Sequence, residues 1–268
     1  MSYFKDKVVV VTGGSEGIGK ALVEELMAQG AKVATCARNY DKIYNLQLQF
    51  ANVLFHAQTC DVSNEQDCKK FISSTIKLFG GIDILINNAC ISMRALFKDV
   101  DLDVMRKVMD INFWGAVYCT RYALPSITAK KGTIVGISSI AGYRGLPGRS
   151  GYSASKHAMQ GWLEALRTEL MDSGVNVMWA SPGFTTSNIR NAALNKDGQP
   201  QGESPMDESK MMSARDVAEV ILKAIEKRKR SVVMTFDGKR AVFMNRFFAS
   251  VADKFVHKYF IKDGNLIK

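Results

Sequence analysis

The four valines at 8–11 run into Thr12-Gly13-Gly14, and residues 18–29 then carry apolar side chains at helical spacing through Ile18, Leu22 and Leu26 before stopping at Gly30. That pattern predicts a strand, a glycine turn and a helix. The same cycle repeats: 32–36 predicts a second strand, 41–49 a helix, 53–57 a third strand, 64–79 a helix closed by Gly80-Gly81, and 82–86 a fourth strand. Further on come one long helical stretch over 102–127, a strand over 133–137, a helix over 152–171 and a strand over 176–180. Strands alternating with helices of this length predict an α/β fold, a doubly wound parallel sheet covered on both faces.

Between Pro182 and Met212 the periodicity dissolves into Gly, Pro, Asn, Asp and Ser, which inside one domain reads as a substrate loop rather than a linker. Ser213 and Asp216 stand at capping-box spacing and open a helix to about residue 227, followed by a last strand over 231–235. Beyond it, Phe243, Met244, Phe247, Phe248, Val251, Phe255, Val256, Tyr259 and Phe260 recur three and four apart while Arg246, Lys254, His257 and Lys258 fill the other face. This predicts a basic amphipathic helix. The expected organisation is one catalytic domain over 1–236, with its substrate loop at 182–212, and a helical tail over 237–268.

Composition alters this picture in one place. A chain of 268 residues, 47% hydrophobic and 23% charged, suits one α/β core. The net charge of +10 is lopsided, with eleven Lys/Arg against three acids from residue 227 onward, so the body is nearly neutral and the tail basic. A nucleic-acid role, which needs a basic face on the body, is not expected. Cys36, Cys60, Cys68, Cys90 and Cys119 are odd in number and scattered, and His56, His157 and His257 form no ligand pair. Reduced thiols and no metal are expected. No apolar run is long enough to span a bilayer and the start lacks the regions of a signal peptide, so the expected location is the cytoplasm.

The turn Thr12-Gly13-Gly14-Ser15-Glu16-Gly17-Ile18-Gly19 lies between the first strand and the first helix, where a dinucleotide pyrophosphate meets backbone N–H groups. Alone, such spacing also fits a plain tight turn. Tyr152 and Lys156 lie four apart on one predicted helix and share a face, so an ammonium can stand beside a phenol whose free pKa is about 10. A neighbouring cation favours the ionised phenol and makes it a workable acid/base. A hydroxyl such as Ser139 could hold a carbonyl oxygen where negative charge develops.

With these motifs in order, the chain resembles the short-chain dehydrogenase/reductase family from the glycine turn through Pro182-Gly183. The resemblance implies a Rossmann-type fold and catalytic roles for Asn112, Ser139, Tyr152 and Lys156. It implies cofactor contacts from Gly13, Ser15, Gly17, Ile18, Gly19, Arg38, Asn39, Asp61, Val62, Asn88, Ala89, Tyr152, Lys156, Pro182, Gly183, Thr185 and Ser187. Lys156 would bond the nicotinamide ribose and Asn112 would support a water-linked proton path. Two positions depart from the family pattern: Cys90 stands where Gly usually follows Asn87-Asn88-Ala89, and Ser187 replaces a threonine. The stretch from Asn188 into the tail is similar to members acting on lipophilic carbonyls, and Thr12-Gly13-Gly14-Ser15 with Ala37-Arg38-Asn39 is similar to 3-ketosphinganine reductases.

Ala37 occupies the position where NAD-selective members carry an acid, and Arg38 follows it, so NADP(H) is the expected cofactor, against the counter-signal of Glu16. The expected activity is an oxidoreductase moving hydride between NADPH and the carbonyl of a lipophilic, long-chain or steroid-like ketone. A 3-oxoacyl reductase or alcohol dehydrogenase of fatty-acid metabolism is the alternative, and a dinucleotide-binding scaffold without turnover is the alternative of another class. A homodimer or homotetramer through 102–127 and 152–171 is implied by the resemblance. The tail helix either docks on protein or lies in the cytoplasmic membrane interface, with Phe among acyl chains and Lys/Arg at anionic headgroups.

Overall fold

The computed structural model describes residues 2–51, 54–204, 206–207 and 211–267. Among these, β1 (Val8–Thr12), β2 (Lys32–Ala37), β3 (Phe55–Thr59), β4 (Ile84–Asn87), β5 (Thr133–Ile137), β6 (Asn176–Ser181) and β7 (Ser231–Val233) form one sheet. Every pairing is parallel and the order is β3-β2-β1-β4-β5-β6-β7. The strands read as unbroken apolar runs because both faces are covered. Val8 and Val10 pack with Phe71, Ile72, Ala123 and Leu163 from α3 (Glu65–Phe79), α5 (Gly115–Ala129) and α6 (Ser150–Glu169). Val9 and Val11 turn the other way, onto Leu22, Leu26, Val217 and Ile221 of α1 (Gly17–Ala28) and α7 (Ala214–Glu226). The doubly wound fold is therefore as the pattern predicts. The strand order reverses between β1 and β4, and the crevice that this opens at the carboxyl ends is where such sheets bind ligands.

Several elements differ from the sequence expectation. The third strand is centred two residues later than 53–57, since Phe55–Thr59 is a sheet-edge segment with His56 and Gln58 among its residues, a weak apolar signal; Val53 lies outside the described residues. The single helix expected over 102–127 is three segments: α4 (Leu102–Met109), a π-helical turn (Asp110–Trp114) and α5. The tail is likewise two helices, α8 (Phe236–Phe247) and α9 (Ala249–Phe260), broken at Phe248, where the backbone leaves the helical range (φ −136°, ψ 49°). This pair docks on the connection after β5: Asn245 donates to the Tyr143 carbonyl at 2.7 Å, and Arg144 bonds both Asn245 (2.9 Å) and Asp253 (2.5 Å). The capping box at Ser213 and Asp216 is present at the start of α7.

One hydroxyl ties the two halves of the sheet together. Thr12 Oγ1, at the end of β1, accepts from the backbone amides of both Asn88 and Ala89 at 3.0 Å. Asn88 returns the contact, its Nδ2 donating to the carbonyls of Thr12 (2.9 Å) and Gly13 (3.1 Å). Thr12→Val keeps the shape and removes the acceptor, leaving two amides unsatisfied, each at about 1–3 kcal/mol. We expect Thr12→Val to lower unfolding free energy by ~2 kcal/mol or more in urea denaturation; a loss below ~0.5 kcal/mol would show that the hydroxyl does not fix this junction.

Candidate active site

The glycine turn sits at the carboxyl end of β1. Gly13 has φ +69° and Gly17 φ +53°, a region that suits glycine. At Gly19 a Cβ would stand 2.1 Å from the Gly13 carbonyl oxygen and 2.5 Å from Asn88 Nδ2, so only glycine lets the helix start against the turn. No side chain caps α1, which leaves its first amides, from Ile18 onward, facing the crevice. Free amides beside an unobstructed turn fit a dinucleotide pyrophosphate. Ser15, Glu16, Gly17, Lys20, Lys42 and Asn188 line one groove here, and Ser187 Cβ lies over Gly17.

Arg38 is exposed just past β2, and Asn39 caps α2 (Tyr40–Gln49) by accepting from the Lys42 amide at 2.9 Å. Glu16 forms an ion pair with Lys42. The acidic counter-signal at Glu16 is thus neutralised by a lysine that the sequence reading missed, although Lys42 lies one helical turn beyond Arg38. Asp61 uses Oδ1 to bond the Ser63 amide (3.0 Å) and hydroxyl (2.7 Å), as a turn cap would. Val62 is buried against Gly115 of α5. On the far side, Pro182 is buried, Gly183 approaches Thr235, and Thr185 bonds the Gly183 carbonyl at 3.2 Å. The 182–212 segment is folded against residues 92–95: Leu194 and Arg94 exchange backbone bonds with Ser92 and Leu194 at 2.9 and 2.8 Å.

Tyr152, Lys156, Ser139 and Asn112 converge on the carboxyl ends of β4 and β5. The four-residue spacing on α6 brings the Lys156 ammonium 5.6 Å from the Tyr152 ring centre, and that ammonium, 1% exposed, donates to the Ile137 carbonyl at 2.8 Å. Ser139, at the end of β5, stands near enough to the phenol to pull its proton affinity down, and its Oγ accepts from the Ala141 amide at 3.2 Å. Asn112 lies in the π-helical turn, fully buried; its Oδ1 accepts from the Ile91 amide (2.8 Å) and its Nδ2 donates to the Ile91 carbonyl (3.0 Å) and Ser155 Oγ (3.0 Å). Tyr152 itself packs beside Met93, Leu194 and Met105 in a small apolar cluster.

Electrostatically, burial pushes the Tyr152 phenol well above its ordinary value, and the charge of Cys90 adds to the rise; the Ser139 hydroxyl and the Arg149 guanidinium pull it back. Burial likewise pulls Lys156 below the usual lysine range, with Cys90 opposing. The sequence reading gave the lowering of the phenol to Lys156. Here the groups that lower it are the Ser139 hydroxyl and, as the nearby cation, Arg149, while the Lys156 ammonium donates to Ile137. No motif marked Arg149; its place three residues before Tyr152 was the only signal.

Comparison with known proteins agrees with this geometry. The short chain dehydrogenase family profile matches residues 7–198. The rat (Rattus norvegicus) dehydrogenase/reductase SDR family member 7B is 38% identical over 243 residues, spanning 87% of this chain and 75% of that protein. The Anopheles gambiae dehydrogenase/reductase SDR family protein 7-like is 35% identical, spanning 92% and 80%. Among solved structures, a short chain dehydrogenase from Burkholderia cenocepacia in complex with NADP superposes with a TM-score of 0.80 at 22% identity, covering 95% of this chain and 99% of that one. One from Burkholderia phymatum in complex with NAD gives 0.81 at 22% identity, covering 94% and 96%.

The raised phenol sets a pH dependence. A reduction that takes its proton from Tyr152 needs the neutral phenol, and a phenol raised from about 10 stays neutral well into the alkaline range. We expect kcat/KM for reduction to stay flat through neutrality and to fall only above about pH 10, with oxidation showing the opposite trend. Arg149→Met removes a charge that holds the phenol down, so the falling limb should move to higher pH; a limb below pH ~8 in the unaltered enzyme would contradict the assignment.

Proposed function

Because the chain belongs to the short chain dehydrogenase family of oxidoreductases, we propose that it is an NADPH-dependent reductase of a lipophilic ketone, able to run in reverse as an alcohol dehydrogenase. The observation that carries this reading is the half-buried Tyr152 beside a fully buried Lys156 and the Ser139 hydroxyl, at the crevice that the glycine turn opens. Bound there, the nicotinamide supplies the hydride. Ser139 holds the carbonyl oxygen, and Tyr152 donates its phenolic proton to that oxygen as negative charge develops. Lys156 is placed to bond the ribose of the cofactor, and Asn112 holds the Ile91 backbone so that the wall beside Tyr152 keeps its shape.

Arg38 is exposed just past β2, where NAD-selective members carry an acid, and Glu16 in the groove is held by Lys42, so a guanidinium is left to favour a 2′-phosphate. The apolar wall of Met93, Leu194 and Met105 beside Tyr152 supports a lipophilic substrate. The test is a ketone panel assayed with NADPH and NADH. We expect higher kcat/KM with NADPH, and a loss of ~10²-fold or more in turnover for Tyr152→Phe with cofactor binding retained. NADH performing as well overturns the cofactor preference, and a Phe variant with near-normal turnover favours the scaffold alternative.

A second reading concerns the tail. Phe236, Phe243, Phe247, Phe248, Val251 and Phe255 are all more than half exposed, alongside Lys239, Arg240, Arg246 and Lys254. No helix among the described residues is long and apolar enough to cross a membrane. We propose that this aromatic, basic face rests on an anionic membrane surface, next to the connection that carries Ser139, so that a lipophilic ketone reaches the cleft from the lipid. A homodimer or homotetramer through α5 and α6, where Phe113 and Trp114 of the π turn and Trp162 of α6 form one aromatic edge, belongs to the same reading. Phe243→Ser/Phe247→Ser/Phe255→Ser should cosediment with anionic vesicles at least ~10-fold less than the unaltered protein at low salt; equal binding sends this face to a protein partner or a second copy.

A further inference from the structure

Arg149 is 8% exposed, and its Nε is buried with no hydrogen-bond partner among the described residues. It stands immediately before α6, three residues from Tyr152. Nearby, Nε of Arg94 and the hydroxyl of Ser150 are also buried and without partners. Backbone bonds hold these segments together: the Ala95 amide donates to the Gly148 carbonyl at 2.9 Å, and the Arg94 amide to the Leu194 carbonyl at 2.8 Å. The substrate loop adds Arg190, 6% exposed, whose guanidinium bonds Ser204 Oγ at 3.1 Å and the Thr185 carbonyl at 3.0 Å. Among the described residues, the groups bearing on the Arg149 charge are Tyr152, Arg190, Arg94 and Tyr259, with no carboxylate among them.

A guanidinium placed as Arg149 is placed is costly. Arginine does not shed its proton when buried, so the charge must be met by an anion or by a full set of acceptors. Other partly buried arginines of this chain hold several acceptors, even though one nitrogen of each, Arg167 Nη1 and Arg144 Nε, is likewise buried without a partner among the described residues. Arg167 donates to the carbonyls of Val177 and Arg230 and stacks on Trp179, and Arg144 bonds Asn245 and Asp253. Among the described residues Arg149 has neither, and it borders the reacting phenol. The phosphates of a dinucleotide belong at the other end of the crevice, with the glycine turn, Arg38 and Lys42. What remains for Arg149 is the substrate.

We propose that Arg149, with Arg94 and Arg190 beside it, forms an anion subsite of the substrate cleft, and that the ketone reduced at Tyr152 carries a carboxylate or phosphate close to its carbonyl. This rests on the reductase reading given above. The planar fork of a guanidinium takes two oxygens of such a group at once, and its charge is unscreened inside the cleft. The subsite does two things: it selects anionic ketones over neutral ones, and it fixes the distance from the anion to the carbonyl, setting which carbonyl of a long substrate meets Tyr152. Combined with the apolar wall at Met93 and Leu194, it defines an amphiphilic substrate, charged at one end and greasy at the other.

Matched ketone pairs test this: a long-chain keto carboxylate against its methyl ester, and a ketone phosphate monoester against the same ketone without phosphate. For each, kcat/KM is measured with NADPH and NADH in the unaltered protein, Arg149→Met, Arg149→Lys and Arg94→Met. The expected result is a preference of ~10-fold or more for the anionic member of at least one pair. In Arg149→Met that preference collapses, chiefly through KM, and Arg149→Lys recovers part of it. Whichever pair shows the preference identifies the group as carboxylate or phosphate. Ketone turnover without any anionic preference, or a preference that survives in both Met variants, overturns the subsite and leaves the reductase reading standing. If no ketone is turned over, the reductase reading fails, and calorimetric binding of the keto carboxylate and the ketone phosphate decides the subsite separately. Equal affinity for the unaltered protein and Arg149→Met then overturns it; weakening by ~10-fold or more in the variant upholds it.

Discussion

The hydroxyl of Thr12, bonded to the amides of Asn88 and Ala89, is the contact on which the rest of the site depends. A parallel sheet covered on both faces has no free polar surface except along its two edges and at its strand ends. In this chain the strand ends open into a crevice only where β1 and β4 diverge, because the chain leaves them in opposite directions across the sheet. Thr12 and Asn88 close the floor of that crevice. The glycine turn stands on one side of the floor, and the Ala89–Ile91 segment on the other carries the backbone that Asn112 grips. Ser139 and Tyr152 follow one strand further along. A shift at the floor would move the phosphate-binding turn relative to the phenol, and the two must act on one dinucleotide.

The fold was legible wherever burial was complete. Four consecutive valines in β1 admit few readings, and α7 announces itself with Ser213 and Asp216. The edge strand Phe55–Thr59 was legible only approximately, since only Ala57 of its five residues is fully buried and the apolar signal thins out. The π turn left no trace in the sequence, because what stabilises it is a tertiary bond between the Asn112 amide and Ile91, twenty-one residues away. The break at Phe248 was equally hidden: no Gly or Pro marks it, and the apolar periodicity passes through it unchanged. Tyr152 and Lys156 could be paired from spacing alone, whereas Arg149 could not be singled out. Its isolation arises only when Arg94, Leu194 and Arg190 close around it, and a sequence holds no record of which arginines will find partners.

Net charge proved a poor guide to local charge. Residues before 227 nearly balance, yet the cleft has positive groups at both ends, Arg38 and Lys42 beside the cofactor groove and Arg94, Arg149 and Arg190 beside the phenol. Acids offset the count largely from elsewhere, in helix caps and exposed pairs such as Asp103 with Arg106 and Glu164 with Arg230, while Glu16 in the cofactor groove is paired with Lys42. The basic tail, which dominates the count, meets the body through polar contacts at Tyr143 and Arg144, burying Phe260 while Phe236, Phe243, Phe247, Phe248 and Phe255 stay outward. Charge at the two ends of the cleft and an apolar wall between them together shape the space around Tyr152.

The π turn at Asp110–Trp114 gives the long central helix a phase change. Before it, α4 packs Val104 and Val108 on the small cluster around Met93; after it, α5 turns Ala116, Cys119 and Ala123 onto the sheet. Each residue advances an α-helix by about 100°, so the wider turn absorbs one residue of slack between two faces that could not otherwise both be buried. Insertions and deletions are ordinarily cheap between core elements and drift freely over evolutionary time. At this turn the chain length is instead fixed from both sides. Losing a single residue would rotate Asn112 away from Ile91 or strip α5 from the sheet, so this helix should be a stretch of the chain where length variation is not tolerated.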